Sequence, residues 1–174
     1  MTPAQELLAE LILEAEVTRS YLEKVPFNEA DFQPHKKSEK LGRLAIHVAE
    51  IIGWWKECVA HDHLDFIDFE PEQIKTTSEL LAYFDKLLGE AKETLNKATD
   101  ADFDRQWSMR YGDEVLFTLP KKQVIRIFCM NHLIHHRAQL GVYLRLLDIE
   151  IPATYGPSAD DENVILVQEF SKRV

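Results

Sequence analysis

The sequence has little cysteine and no long apolar run. Its 2 cysteines among 174 residues are too few for the disulfide framework of a small secreted protein. No uninterrupted apolar stretch approaches the roughly 20 residues that cross a bilayer. Residues 1–6 contain neither the basic stretch nor the apolar stretch of a signal peptide. We therefore expect a cytoplasmic protein without a membrane partner.

Basic residues are also scarce, because 20 Lys and Arg face 30 Asp and Glu and leave a formal net charge of −10 at pH 7. This balance argues against nucleic acid as a partner, since neutralising phosphates takes clustered cations. Residues 121–147 nevertheless contain five cations and no acid. We expect these cations to face acidic neighbours in the fold, and the alternative is that they attract an anionic substrate. The five are Lys121, Lys122, Arg126, Arg137 and Arg145.

The length and the 45% hydrophobic content are typical of one globular domain, which we expect to cover residues 1–174. Apolar residues recur at helical spacing in four segments. The sequence predicts a capping box at the start of the first helix, at Thr2, and another at the start of the third, at Thr76. Ser38 is predicted to cap the second helix. Long connections after the first and third helices permit crossovers between them.

The remaining segments complete an all-α prediction. The fourth helix is expected to run from Pro120 to about Leu147, and its apolar circumference indicates burial on more than one side, one of which would be a subunit contact. Before it, residues 107–110 and 115–119 flank a turn at 111–114 and predict a small hairpin or an irregular crossover loop. A short C-terminal helix is expected over residues 159–171. Without a convincing sheet, we predict a four-helix bundle.

Three histidines form the candidate site. His132 and His136 are four residues apart on the fourth helix, which places both imidazoles on one face, about 40° apart. His47 lies at the edge of the apolar stripe of the second helix. Three neutral imidazoles would make a metal site with an open position for water or substrate. The alternative for each is a hydrogen-bonded core histidine, but burying several unpaired imidazoles is costly, whereas one metal satisfies all three.

Other metal-ligating residue types nearby are weaker candidates. His135 points about 100° away from the i, i+4 pair, although it is spaced to pair with His132 at i, i+3. Cys58 and Cys129 are expected to behave as small buried hydrophobes. Cys129 precedes His132 by three residues, so a mixed Cys/His ligand set is the alternative. The zincin motif is absent because Leu133, not Glu, follows the first histidine.

Three polar residues are candidates for the surroundings of such a metal. Glu50 is one turn from His47, where it would hold the second ring nitrogen or shuttle protons. A solvated carboxylate is the alternative that the sequence favours. Gln139 and Tyr143 follow His136 on nearly the same helix face. Either is a candidate for the outer contacts of the site or an ordinary core residue.

Three segments together form a recognisable pattern. They are His47 in the second helix, Asn131-His132-x-x-His135-His136-Arg137-x-Gln139-Leu140 in the fourth, and Ile151-Pro152 leading into residues 155–160. With them the sequence resembles the DinB/YfiT-like superfamily over nearly its whole length. The resemblance implies a four-helix bundle in up-down-down-up order, often as a homodimer. It also implies a divalent metal at His47, His132 and His136, zinc or nickel first and iron or copper as alternatives.

The resemblance further implies a reaction class. Characterised members of the superfamily include thiol-dependent S-transferases and isomerases that use bacillithiol, mycothiol or glutathione. A metal with an open position lowers the pKa of a bound thiol and so generates thiolate at neutral pH. The expected partners are therefore a low-molecular-weight thiol and a small electrophile. Two alternatives remain, a hydrolase that uses metal-bound water and a non-enzymatic metal-binding stress protein.

Overall fold

Two capping boxes set the starts of the first and third helices, as the sequence predicts. In the computed structural model, which describes residues 2–161, α1 spans Pro3–Leu22 and α3 spans Thr77–Lys97. The hydroxyl oxygens of Thr2 and Thr76 each accept a hydrogen bond from the amide three residues further on, at 3.3 and 3.1 Å. These bonds satisfy amides that a helix leaves unpaired at its first turn.

The second helix, α2, spans Leu41–Ala60 and begins without a side-chain cap. The predicted cap at Ser38 is wrong, because the residue before the helix is Lys40. The connection from α1 includes a 3-10 turn and folds back so that the Ala30 carbonyl accepts the Gly42 amide at 2.9 Å. A Cβ at Gly42 would lie 2.9 Å from the Ala30 Cβ. Glycine is therefore needed where the connection crosses the start of α2.

The fourth helical segment is helical over nearly the predicted range but is not one regular α-helix. It consists of α4 at Lys121–Val124, a π-helical turn at Ile125–Asn131, and α5 at His132–Leu146. The π-helical turn is wider than the α-helical one, so a stripe of buried residues at every fourth position stays on the core side. This stripe consists of Lys121, Ile125, Cys129, Leu133, Arg137 and Gly141.

A three-stranded sheet accompanies the helices. Strands β2 (Gln106–Tyr111) and β3 (Glu114–Pro120) form the predicted hairpin, and Gly112 takes a positive φ of 58° in its two-residue turn. Strand β1 (His63–Asp65) pairs in parallel with β2. The Asp65 carboxylate fixes this pairing by accepting the Gly112 amide at 2.9 Å. The expectation of no sheet is therefore wrong, and the fold is mostly helical rather than all-α.

The helices enclose one core. α1 and α2 each pack against α3 and against α5, and the largest apolar side chains between them are fully buried. No helix within residues 2–161 is long and apolar enough to cross a membrane. The C-terminal helix predicted for residues 159–171 lies almost wholly outside the described residues. The largest apolar core residues include Trp55, Phe84, Leu11, Leu22 and Leu41.

The cations of residues 121–147 are paired with acids, which confirms the prediction made from their clustering. The five pairs join the fourth helical segment to α1, to the connections that flank the sheet, and to the C-terminal loop. Each of these five cations is therefore paired with an acid, so none of them is free to attract an anionic substrate. The pairs are Lys121–Asp62, Lys122–Asp104, Arg126–Glu10, Arg137–Glu14 and Arg145–Asp160.

We expect Asp160→Asn to destabilise the protein in a pH-dependent way. Asp160 accepts a hydrogen bond from Arg145 at 2.9 Å and one from the Ile151 amide at 2.8 Å. The Arg145 guanidinium and this amide lower the pKa of Asp160 from 3.8 to about 2. A lowered pKa stabilises the folded state above the unfolded pKa, and this stabilisation is lost as the pH falls through the folded pKa.

The measurement is urea denaturation of the parent and of Asp160→Asn from pH 7 to pH 3. The parent is expected to be more stable at pH 7, and the difference should start to shrink below about pH 4. Asp68→Asn, an exposed carboxyl whose side chain has no ion-pair partner in the described part of the chain, is the control. A difference that stays constant over the whole pH range would contradict the role of the Asp160 charge.

Candidate metal centre

The three predicted histidines come together between two helices. His47 extends from α2, and His132 and His136 extend from the first turns of α5, which packs against α2. Their ring centroids are 4.6–5.1 Å apart, and one nitrogen of each ring lies within 4.8 Å of the others. The Nε2 atoms of His47 and His132 approach to 3.4 Å. This cluster is compatible with the binding of a divalent metal.

Burial disfavours the charged forms of two of the three imidazoles, those of His132 and His136. Burial, with a smaller contribution from His136 and His47, lowers the pKa of His132 to about 4. Burial also lowers the pKa of His136. The Nδ1 atom of His132 is buried and has no hydrogen-bond partner among the described residues. Neutral rings offer nitrogen lone pairs, and lone pairs that converge within a few ångströms are stabilised by a shared cation. The donor set therefore fits a metal.

Glu50 is buried beside His47 and is not a solvated carboxylate, so the alternative that the sequence favoured is wrong. Its side chain is 3% exposed, and Oε2 accepts a hydrogen bond from Arg43 at 2.9 Å while lying 3.4 Å from His47 Nδ1. Burial raises the pKa of Glu50, but the bonds from His47 and Arg43 outweigh it, so the pKa lies below its usual value. A carboxylate at Nδ1 keeps the proton there and leaves Nε2 as the lone-pair donor.

The other two polar candidates behave differently. Gln139 Oε1 lies 2.7 Å from His136 Nδ1, which orients that ring in the way that Glu50 orients His47. The Tyr143 hydroxyl instead donates to the Glu39 carbonyl at 2.9 Å. Tyr143 therefore ties α5 to the connection before α2, and among the described residues it makes no hydrogen bond to the histidines.

A cleft of about 530 Å³ opens beside the cluster. The histidines at its wall are His47 and His136, and Gln139 and Tyr143 line it further along α5. Charged side chains of both signs, including the acid Glu39, also line it from the connection before α2 and from the start of that helix. The cleft is large enough for a small organic molecule to reach the imidazoles. Its basic lining residues are Lys37 and Arg43.

His135 and the two cysteines lie outside the cluster. His135 is exposed, with its ring 4.9 Å from that of His136. Cys58 and Cys129 are both free and buried, as predicted for small hydrophobes. Burial, together with the neighbouring Cys58, raises the pKa of the Cys129 thiol. A thiol that resists ionisation is a poor metal ligand, and Cys129 does not join the histidines in the described chain.

Two further residues beside the histidines were not predicted from the sequence, although their spacing from predicted residues indicates a shared helix face. Arg43 lies seven residues before Glu50, and Trp54 lies seven residues after His47. Seven residues are nearly two full helical turns, so each pair shares a helix face. The Trp54 ring lies 5.8 Å from His47 and 5.2 Å from His132.

Comparison with known proteins agrees with this geometry. The sequence matches the DinB family over residues 1–169. The chain belongs to the DinB family. A DinB-like protein from Bacillus subtilis has a similar structure, with a TM-score of 0.69 and 18% identity over 86% of this chain and 97% of that one. A DinB-like protein from Bacillus cereus has a TM-score of 0.65 and 19% identity over 87% of this chain and 97% of that one.

At these identities the likeness to the two DinB-like structures shows a shared fold alone. No curated protein matches the chain in sequence. Family membership and the histidine cluster together are compatible with metal binding. The reaction has to be argued from the residues around the cluster.

Proposed function

We propose that this protein is a cytoplasmic, metal-dependent enzyme that transfers a low-molecular-weight thiol to a small electrophile. His47, His132 and His136 would hold the divalent metal, for which zinc and nickel are the first candidates and iron and copper the alternatives. The observation that carries the proposal is the convergence of three imidazoles, two of which, those of His47 and His136, line a cleft of about 530 Å³. When bound there, the metal would lower the pKa of a thiol.

The protein's own residues would prepare this chemistry. Glu50 and Gln139 keep the protons of His47 and His136 on Nδ1, so that both Nε2 atoms remain free to donate lone pairs. In the transfer, the thiol releases its proton to solvent and its sulfur forms a bond with the electrophilic carbon. A leaving group departs from that carbon with the bonding electrons. The cleft holds the two reactants together, which is itself a large part of the rate enhancement.

The proposed transfer reaction is tested by measuring whether turnover depends on an added thiol. Zinc-loaded protein would be incubated with 1-chloro-2,4-dinitrobenzene, with and without glutathione, and thioether formation would be followed by absorbance. We expect turnover that needs both metal and thiol and that is lost in His47→Ala. Consumption of the electrophile without thiol would instead support hydrolysis by metal-bound water. Metal binding without turnover on any thiol and electrophile pair would support the non-enzymatic stress protein.

We expect Glu50→Gln to weaken zinc binding by about 10- to 100-fold, the usual effect of losing a carboxylate that orients a ligating histidine. The amide is nearly isosteric, so the change removes the charge beside His47 without removing volume. The measurement is competition with a chromophoric zinc chelator. Glu57→Gln on the same helix, whose carboxylate faces His61, is the matched control. Equal zinc affinity in the parent and in Glu50→Gln would exclude this role for Glu50.

We further propose that residues 1–174 form one domain, an up-down-down-up bundle that associates as a homodimer through the outer face of α5. Val142 and Leu146 lie one turn apart on this face and are 59% and 56% exposed. Large apolar side chains so exposed on a helix are typical of an interface. Sedimentation equilibrium should give a dimer for the parent and a monomer for Val142→Lys. A monomeric parent would contradict the proposed dimer without affecting the metal site.

A further inference from the structure

The two ends of the histidine cluster have different surroundings. Residues of α2 before His47 line the cleft together with residues of α5 after His136. Trp54, which follows His47 on α2, instead contacts His132 at the start of α5. The two helices therefore run in opposite directions here, and neither His132 nor Trp54 is among the described residues that line the cleft. The cluster is thus open at the His136 end and bordered by the Trp54 indole at the other end.

The Trp54 indole is held in place by the rings around it. Its centroid lies 5.8 Å from the His47 ring at an interplanar angle of 73°, and 5.2 Å from the His132 ring at 48°. The Phe66 ring contacts the same indole at 5.8 Å and 67°. Phe66 is itself fixed to the sheet, because its amide donates to the Arg110 carbonyl of β2 at 3.1 Å. Edge-to-face and tilted contacts are favourable between aromatic rings, so the indole keeps its place beside the two imidazoles.

The number of ligands that a metal takes depends on the space around it. Three imidazole nitrogens fill three positions, and zinc with three protein ligands usually adds a single further ligand in a tetrahedral arrangement. Nickel instead favours square-planar or tetragonal arrangements. A fifth or sixth ligand needs additional room beside the imidazoles. The indole packed on the His47 and His132 rings occupies that room at one end, and only the cleft leaves a free position at the other.

We propose that Trp54 closes one end of the metal site, so that a metal held by the three histidines keeps one open position, which faces the cleft, and zinc is preferred over nickel. Trp54 acts through the ligating rings and does not touch the reactants, so it is a specificity-determining residue and not a catalytic one. Any further ligand of the metal, whether thiol or water, then arrives from the cleft. This role of Trp54 rests on the metal site of the proposed function but not on its transfer reaction.

Cobalt(II) reports the coordination number, because its four-coordinate complexes absorb visible light more strongly than its six-coordinate complexes. The absorption spectra of the cobalt-loaded parent and variants would be compared at equal metal content. We expect intense four-coordinate bands for the parent and severalfold weaker bands for Trp54→Ala, which gives room for additional water ligands. Trp54→Phe keeps an aromatic ring beside the imidazoles and should resemble the parent.

Competition between zinc and nickel measures the preference directly. Each protein would be equilibrated with an equimolar excess of both ions, and the bound metals would be determined by elemental analysis after dialysis. We expect Trp54→Ala to shift the bound ratio toward nickel by about tenfold, the size of effect that residues around metal ligands usually have. Phe69→Ala is the control, because Phe69 lies 5.7 Å from Phe66, is 45% exposed and contacts none of the three histidines in the described chain.

Carbethoxylation of the metal-free protein tests the closed end without any metal. Diethyl pyrocarbonate modifies accessible imidazoles, and mass spectrometry resolves the modified residues. We expect Trp54→Ala to raise the rate at His132 severalfold and to leave the rate at His136, which already lines the cleft, unchanged. Phe66→Ala loosens the indole without touching a ligand and should have a smaller effect of the same kind, even if Trp54→Ala folds poorly. An unchanged rate at His132 in both variants would contradict the closed end.

Three further results would overturn this role of Trp54: a six-coordinate cobalt spectrum in the parent, a parent-like spectrum and metal ratio in Trp54→Ala, or equal effects of Phe69→Ala and Trp54→Ala. A parent that binds none of the three metals would reject the metal site and this role together. Failure of the transfer reaction is distinguishable, because Trp54-dependent coordination without thiol-dependent turnover supports the role and rejects the transferase. Thiol-dependent turnover with the same coordination in the parent and in Trp54→Ala would do the reverse.

Discussion

His132→Ala is expected to abolish metal binding. The parent, purified without chelators and dialysed, should contain about one zinc or nickel ion per chain, because three imidazoles complete a site with one open position. Removal of His132 leaves two ligands, His47 and His136, which belong to different helices and hold a divalent ion weakly. Elemental analysis of both proteins after equal dialysis measures the loss.

His135→Ala is the matched control for this prediction. His135 is a neighbouring histidine on the same helix, but it is exposed and does not belong to the cluster. Its variant should retain the metal content of the parent. If His135→Ala loses the metal and His132→Ala keeps it, the ligand set proposed here is wrong. If the parent takes up no metal even after reconstitution, the three histidines are core residues.

Arg137→Ala is expected to cost about 3–5 kcal/mol of unfolding free energy, the usual consequence of removing one partner of a buried ion pair. The Arg137 side chain is 2% exposed and bonds the Glu14 carboxylate at 2.7 Å, the Thr18 hydroxyl at 3.1 Å and the Tyr155 hydroxyl at 2.7 Å. Without the guanidinium, the Glu14 carboxylate, itself only 15% exposed, loses its cationic partner in a poorly solvated place. Urea denaturation followed by circular dichroism measures the change.

Arg126→Ala provides the comparison, because it removes an ion pair between the same two parts of the fold at the surface. Arg126 pairs with Glu10 of α1 at 3.0 Å, and both side chains are exposed. We expect a loss of less than about 1 kcal/mol, since solvent screens such pairs. Similar losses for the two variants would contradict the account of Arg137 as the cation that anchors α5 on α1.

The parts of the fold that depend on neighbours in sequence are predictable. The capping boxes at Thr2 and Thr76 act over three residues, and the hairpin turn depends on Gly112, because glycine adopts the required positive φ without steric cost. β1 is different, because its three residues pair in parallel with residues of β2 that lie 45 positions further along the chain. A strand that short leaves no periodic signal. The π-helical turn before His132 packs against α2, and sequence periodicity does not encode such a turn.

The sequence predicts the relative positions of those site residues that lie on the same helix. The i, i+4 spacing of His132 and His136 predicts that they share a face, and His47 is brought to them only by the packing of α2 on α5. The burial of Glu50 depends on a partner two turns away, Arg43, which the sequence offers but does not mark as buried. Lys37 reaches the cleft from an irregular connection, and no periodicity predicts where such a segment folds.

X-ray absorption spectroscopy of the zinc-loaded protein, before and after addition of glutathione, tests the central claim most directly. The account predicts three imidazole nitrogens at about 2.0 Å from zinc, and one sulfur at about 2.3 Å only when the thiol is present. The same spectra of His132→Ala should lack this response. A coordination shell without the three imidazoles, or one that never acquires sulfur at saturating thiol, would contradict the proposal that this protein activates thiols at a three-histidine metal site.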